Sequence, residues 1–125
     1  MFNLSEFISF VYESQLQARL FHYQTSSYAQ HVAFGNFYDS LYDCTDGIIE
    51  ILVGRYGRPI MDPEDQTVSV DNMIDVDLDM WVETMSDYFQ GVKDDLDLVN
   101  DSDVINKLDE VLAAIGSLKF FLSLN

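Results

Sequence analysis

The chain holds two histidines, His22 and His31, nine residues apart, and imidazole is the side chain most often used as a metal ligand. Downstream, Asp39, Asp43, Asp46 and Glu50 recur at spacings of four, three and four. On a helix turning 100° per residue these carboxylates fall within about 60° of one another, and His31 lies about 60° round from Asp46. Mixed imidazole and carboxylate ligands suit borderline ions such as Fe(II), Mn(II) or Zn(II). A row of acids alone is most often a solvated face, and a single histidine is most often a core or capping residue. The combination of His22, His31, Asp46 and Glu50 makes a candidate metal site.

Other metal patterns fail on inspection. Asp75, Asp77 and Asp79 imitate the start of a calcium-binding loop, but Met80 stands where glycine is needed and Ser86 where the closing glutamate belongs. No Glu-x-x-His pair of the common di-iron bundles occurs. Cys44, the one cysteine, cannot form an internal bridge and reads as a packing residue in a reducing cytoplasm.

The elements that must position these side chains are helices. Leu4, Ile8, Val11, Gln15, Ala18 and His22 make a stripe that predicts a helix over about 4–24, capped by Asn3 with Glu6 three residues on. Thr25-Ser26-Ser27 breaks the chain and caps a second helix, which runs to about Tyr56 before Gly57 and Pro59. Its core face is Phe34, Leu41, Ile48 and Leu52. A second apolar stripe of Tyr38, Tyr42, Ile49 and Val53 lies beside the acids, and a helix apolar on two faces predicts a subunit contact.

Residues 57–76 read as a connection. A third helix is expected over Asp77–Val99, burying Trp81, Met85, Phe89, Leu96 and Val99. Asn100-Asp101-Ser102 recaps a fourth, whose seam is Val104, Leu108, Val111, Ile115, Leu118 and Leu122. Gly116 inside that helix predicts a close neighbour. Two short breaks force two antiparallel hairpins, and the long middle connection can cross the length of the bundle. The expected fold is therefore all-α: a ferritin-like four-helix bundle with one long crossover between helices 2 and 3.

At 125 residues the chain makes a single domain, residues 1–125, with 48% hydrophobic residues, too many for a disordered acidic tail. No apolar run approaches the roughly 18 residues of a membrane span. The acidic, lysine-free start Met1–Glu6 predicts no secretory leader. The net charge of −16 is uneven: residues 1–61 carry six acids and three bases, residues 62–125 sixteen acids and three bases. Such a surface repels phosphate, which argues against direct nucleic-acid binding and permits cations or a basic protein partner. An acidic helical interaction protein, with Asp94, Asp95, Asp97, Asp101 and Asp103 at one end, is the alternative function. It would act as a DNA mimic or anti-defence inhibitor without catalysis.

The stretches His22-Tyr23-Gln24 through His31, Leu41-Tyr42-Asp43-Cys44-Thr45-Asp46-Gly47-Ile48-Ile49-Glu50 and Tyr56-Gly57-Arg58-Pro59 resemble the Dps branch of the ferritin-like proteins. That branch has a histidine ending its first helix and another opening the second, then an aspartate and glutamate at the spacing of His31, Asp46 and Glu50. The last helix, Asn106–Glu110 through Lys119–Leu122, is also similar, and the nearest flavour is that of phage-encoded relatives, which would work in the host cytoplasm. The resemblance implies a dodecameric cage that binds iron, oxidises Fe(II) and stores Fe(III). Its sites would lie between subunits, with His22 and His31 of one chain facing Asp46 and Glu50 of another. Departures are a shortened His22–His31 gap, Gly35 in place of a family carboxylate, Tyr23 in place of a frequent tryptophan, and no lysine-rich arm for DNA.

Overall fold

The computed structural model describes residues 2–124, and these form four helices: α1 Leu4–Gln24, α2 Tyr28–Tyr56, α3 Leu78–Asp94 and α4 Ser102–Leu122. Among the described residues there is no strand, and no helix is long and apolar enough to cross a membrane. The helix starts follow their caps. Asn3, Ser27 and Asp77 each accept a hydrogen bond from the backbone N–H three residues on. Gly57 ends α2 at φ +91°, a conformation that favours glycine.

Pairwise contacts give each helix its direction. His22 meets His31 while Arg19 lies over Tyr38, so α1 and α2 are antiparallel. Arg55 meets Asp103 while Cys44 meets Glu110, so α2 and α4 are antiparallel. Lys93 pairs with Asp109 and Glu83 with Lys119, which makes α3 and α4 antiparallel. Phe10 stacks on Tyr88 while Phe21 meets Trp81, so α1 and α3 are antiparallel. Phe34 and Phe37 also reach Trp81, which leaves α2 and α3 parallel. The two hairpins are thus joined by a connection that returns along the length of the bundle. Phe7, Phe21, Phe34, Leu41, Leu52, Phe89 and Leu108 fill the centre.

That connection is ordered by α1 rather than by a core of its own. Ser5 Oγ–H donates to Asp65 (2.7 Å) and accepts from the Asp62 N–H (2.9 Å). The Ser69 N–H donates to Glu13 (3.4 Å). Gln17 and the Asp71 backbone exchange two hydrogen bonds of 2.9 and 2.8 Å. Gln24 donates to Asn72 and accepts from the Met73 N–H. The register has a simple cause: four helical residues rise about 6.0 Å and two extended residues about 6.6 Å. Glu13 and Gln17 therefore meet Ser69 and Asp71 in step. Gln17, rather than the expected Gln15, is the buried glutamine of α1.

Two further expectations are corrected. The third helix stops at Asp94 instead of Val99, and Val99 is 81% exposed. Asp97 accepts from the Val99 and Asn100 N–H groups, and Asp101 accepts from the Asp97 N–H. Carboxylates thereby take donors that a continued helix would use. Gly116 has nothing within 4 Å of where a Cβ would sit, so no close packing explains it. The close approaches are at Gly35, against His22, and at Gly47, against the Lys107 side chain.

Candidate metal centre

His22 occupies the last turn of α1 and His31 the first turn of α2. Their rings stack at 3.7 Å between centroids with planes 17° apart. Each Nδ1 also bonds to the other residue's backbone carbonyl: His22 Nδ1 to His31 O at 2.6 Å, and His31 Nδ1 to His22 O at 2.8 Å. A carbonyl oxygen only accepts, so each Nδ1 carries the proton. The neutral tautomer of each ring consequently keeps its free lone pair on Nε2. The His22 carbonyl is one of those left without an intrahelical partner at a helix C-terminus, so His31 also caps α1.

A backbone carbonyl holding Nδ1–H is the usual support for an imidazole that ligates through Nε2. At a 17° tilt, the two ring planes intersect about 12 Å away, far beyond the roughly 2.1 Å of an imidazole–metal bond. The pair therefore offers two separate ligand positions and does not chelate one ion.

Gly35 makes the arrangement possible. A Cβ there would lie 3.0 Å from His22 Cε1 and 3.2 Å from its Nδ1, so the absent side chain is the space in which the ring sits. Tyrosines surround the pair: Tyr23 and Tyr38 edge-on to His22, and Tyr28 tilted beside His31. Arg19 Nε–H donates to the Tyr23 hydroxyl at 3.4 Å, and its guanidinium lies over the Tyr38 ring at 5.9 Å. The Tyr23 bond is the main cause that raises the Arg19 pKa above its ordinary value.

Asp39, Asp43, Asp46 and Glu50 are exposed on α2. Asp46 and Glu50 lie about 22 and 28 Å along the helix from His31, at 1.5 Å per residue. The structure brings His22 and His31 together but does not place Asp46 or Glu50 with them in one chain. The three acids that do cluster, among the described residues, are Asp62, Glu64 and Asp65, and Asp65 is already held by Ser5. Cys44 is half-buried with its sulfur 3.8 Å from Glu110. Burial, then Glu110, pushes its thiol up, so it has no thiolate character.

The family match begins at His22 and runs through residue 122, taking in the histidine pair, the acid row and both later helices. The chain belongs to DUF5856, a family of unknown function. No curated protein and no solved structure matches it. In this DUF5856 chain, the roles of Gly35 and Arg19 were not read from the sequence. The two glutamines that clasp the crossover, Gln17 and Gln24, left a trace in it: they stand two helical turns apart on one face of α1.

Proposed function

We propose that the chain is a subunit of a Dps-like oligomer that binds iron, with Fe(II) as its cargo. His22 and His31 of one copy would supply nitrogen ligands through Nε2, and Asp46 and Glu50 of a second copy the oxygen ligands. The observation that carries this reading is the reciprocal Nδ1–carbonyl pair, which leaves both Nε2 atoms free for an external ligand at an exposed helix end. Two hairpins joined by a lengthwise crossover are also the connectivity of ferritin-like proteins. Oxidation would take one electron from each ion; two Fe(II), one hydrogen peroxide and two protons would yield two Fe(III) and two water molecules. The acids of the exposed row would then hold the ferric product by charge.

Anaerobic titration with Fe(II), or with Co(II) followed by its visible absorption, tests the reading. The wild-type protein is expected to bind, and His31→Ala combined with Asp46→Ala is expected to lose the ion held through His31, with helix content unchanged. Equal uptake by the double variant would remove the proposed site.

One observation favours a second reading, that of an acidic interaction protein. Leu98 and Val99 stand exposed at the α3–α4 turn among Asp94, Asp95, Asp97 and Asp101, an apolar tip with an acidic surround. Binding of a basic partner that survives the His31/Asp46 double variant and is lost on Leu98→Ser with Val99→Ser would support it.

A further inference from the structure

Between α1, the crossover and α3 lies a small cleft of about 120 Å³. It is a little smaller than the roughly 150 Å³ cavity that admits one benzene molecule. Phe10, Trp81 and Met85 supply its apolar lining, and its polar lining includes Glu13, Ser14 and Asp71. Ser14 is only 4% exposed, yet its hydroxyl has no hydrogen-bond partner among the described residues. It does not even bond back to the carbonyl one turn earlier, the common refuge of a mid-helix serine. No side-chain oxygen or nitrogen of the described residues is both sealed in the core and unpartnered. The Ser14 Oγ is therefore reachable from outside, and the cleft is the opening that Ser14 lines. Glu13 accepts one backbone N–H, from Ser69, whereas Asp71 is held through its backbone and its carboxylate accepts nothing. Neither carboxylate has a cation beside it among the described residues, where Arg55, Lys93 and Lys119 pair with other acids.

We propose that this cleft binds a small organic cation, a primary alkylammonium of about five or six non-hydrogen atoms. An ammonium group has three N–H donors and no acceptor, which matches the Ser14 hydroxyl and the two carboxylates. The alkyl part would lie against Phe10, Trp81 and Met85, and a cation beside an aromatic face is attracted by the ring itself. Both carboxylates, in a chain of net charge −16, repel an anion of the same size. A hard metal ion asks for six or more oxygen ligands rather than three beside aromatic walls. The acids that do cluster among the described residues are Asp62, Glu64 and Asp65, outside this cleft. Ser69 and Asp71 belong to the crossover and are bonded to α1, so an occupant touching both α1 and Asp71 would also hold the crossover down. None of this rests on the metal site proposed above.

Trp81 is the one tryptophan of the chain, so its emission reports on the cleft directly. Butylammonium is titrated into the whole protein in EDTA, with sodium chloride keeping the ionic strength constant. A saturable change is expected, with a dissociation constant on the order of 1 mM. Butan-1-ol, which has the same carbon chain and no charge, is expected to give none over that range. Glu13→Gln removes the charge but keeps an acceptor for the Ser69 N–H, and should weaken binding about tenfold. Ser14→Ala should weaken it about threefold or more. Asp87→Asn removes the same charge from α3 outside the cleft and should leave the affinity unchanged. No saturable change, an equal response to butan-1-ol, or equal weakening by Asp87→Asn and Glu13→Gln overturns the proposal. Amide exchange gives a second readout: at ten times the dissociation constant, the Ser69 and Asp71 N–H groups should exchange about tenfold more slowly. Unaltered exchange at saturating fluorescence also overturns the proposal. Because chelator is present throughout, failure here leaves the metal reading standing, and loss of that reading leaves this cleft untouched.

Discussion

Replacing Gly35 by alanine sets a methyl group 3.0 Å from His22 Cε1 and 3.2 Å from its Nδ1. The ring has little room to yield, because its Nδ1–H is bonded to the His31 carbonyl and one face is stacked on His31. Alanine in a helix interior ordinarily gains about 0.5–1 kcal/mol over glycine. Displacing His22 loosens the two reciprocal hydrogen bonds, at about 1 kcal/mol each. The expected balance is a loss of about 1 kcal/mol for Gly35→Ala. Gly116→Ala, where nothing lies within 4 Å, should instead gain about 0.5–1 kcal/mol. Urea unfolding of the two variants should separate them by roughly 2 kcal/mol. In a His22→Ala background the clash is gone, and Gly35→Ala should recover its helical gain. If Gly35→Ala stabilises the wild-type protein as much as Gly116→Ala does, the histidine clasp is not the tight device described.

Other perturbations have equally definite outcomes. Gln17→Ala removes both hydrogen bonds to the backbone of the exposed Asp71, at about 0.5–1.5 kcal/mol each, and should cost about 1–3 kcal/mol by urea unfolding; the exposed Gln24→Ala should cost less. Leu41→Ala empties a fully buried site between the helices and should cost about 2–5 kcal/mol, measured in the same way. The Asn100 and then the Val99 N–H groups hold the Asp97 carboxyl below the usual carboxylate range. Its stabilising effect is therefore complete above the unfolded value of about 3.9 and is lost only as pH falls through the lower folded value. Amide signals of Val99 and Asn100 should accordingly stay native at pH 4 and move at lower pH; a midpoint at or above the unfolded value would contradict the turn geometry.

The helices were legible because their signals are local. Asn3 and Ser27 cap where their side chains can reach the next turn, and the seam from Val104 to Leu118 is buried as its spacing implies. The end of α3 was not legible from apolar spacing, since Leu96 and Val99 continue the period while Asp97 captures the backbone donors. The crossover looked featureless because its partners are Ser5, Glu13, Gln17 and Gln24 on α1, whose bonds depend on a helix and an extended chain lying side by side. The alternation of Val68 and Val70 was its readable trace. At the site, the two histidines were found from residue type alone, but their Nδ1–carbonyl exchange depends on hairpin geometry. Gly35 read as a missing carboxylate, and its packing against His22 needed three dimensions to see.

Subunit complementation addresses the metal reading most directly. His31→Ala and Asp46→Ala, prepared separately, should each lose the Co(II) held through His31, because each removes one of that ion's ligands. Mixed in equal amounts, dissociated and reassembled, half the dimers should be mixed, and each mixed dimer should hold one intact site of two. Binding at the His31 position should therefore return to about a quarter of its wild-type capacity. Recovery to that level is the result expected of a site shared between copies; a mixture that binds no more than its two components would contradict it.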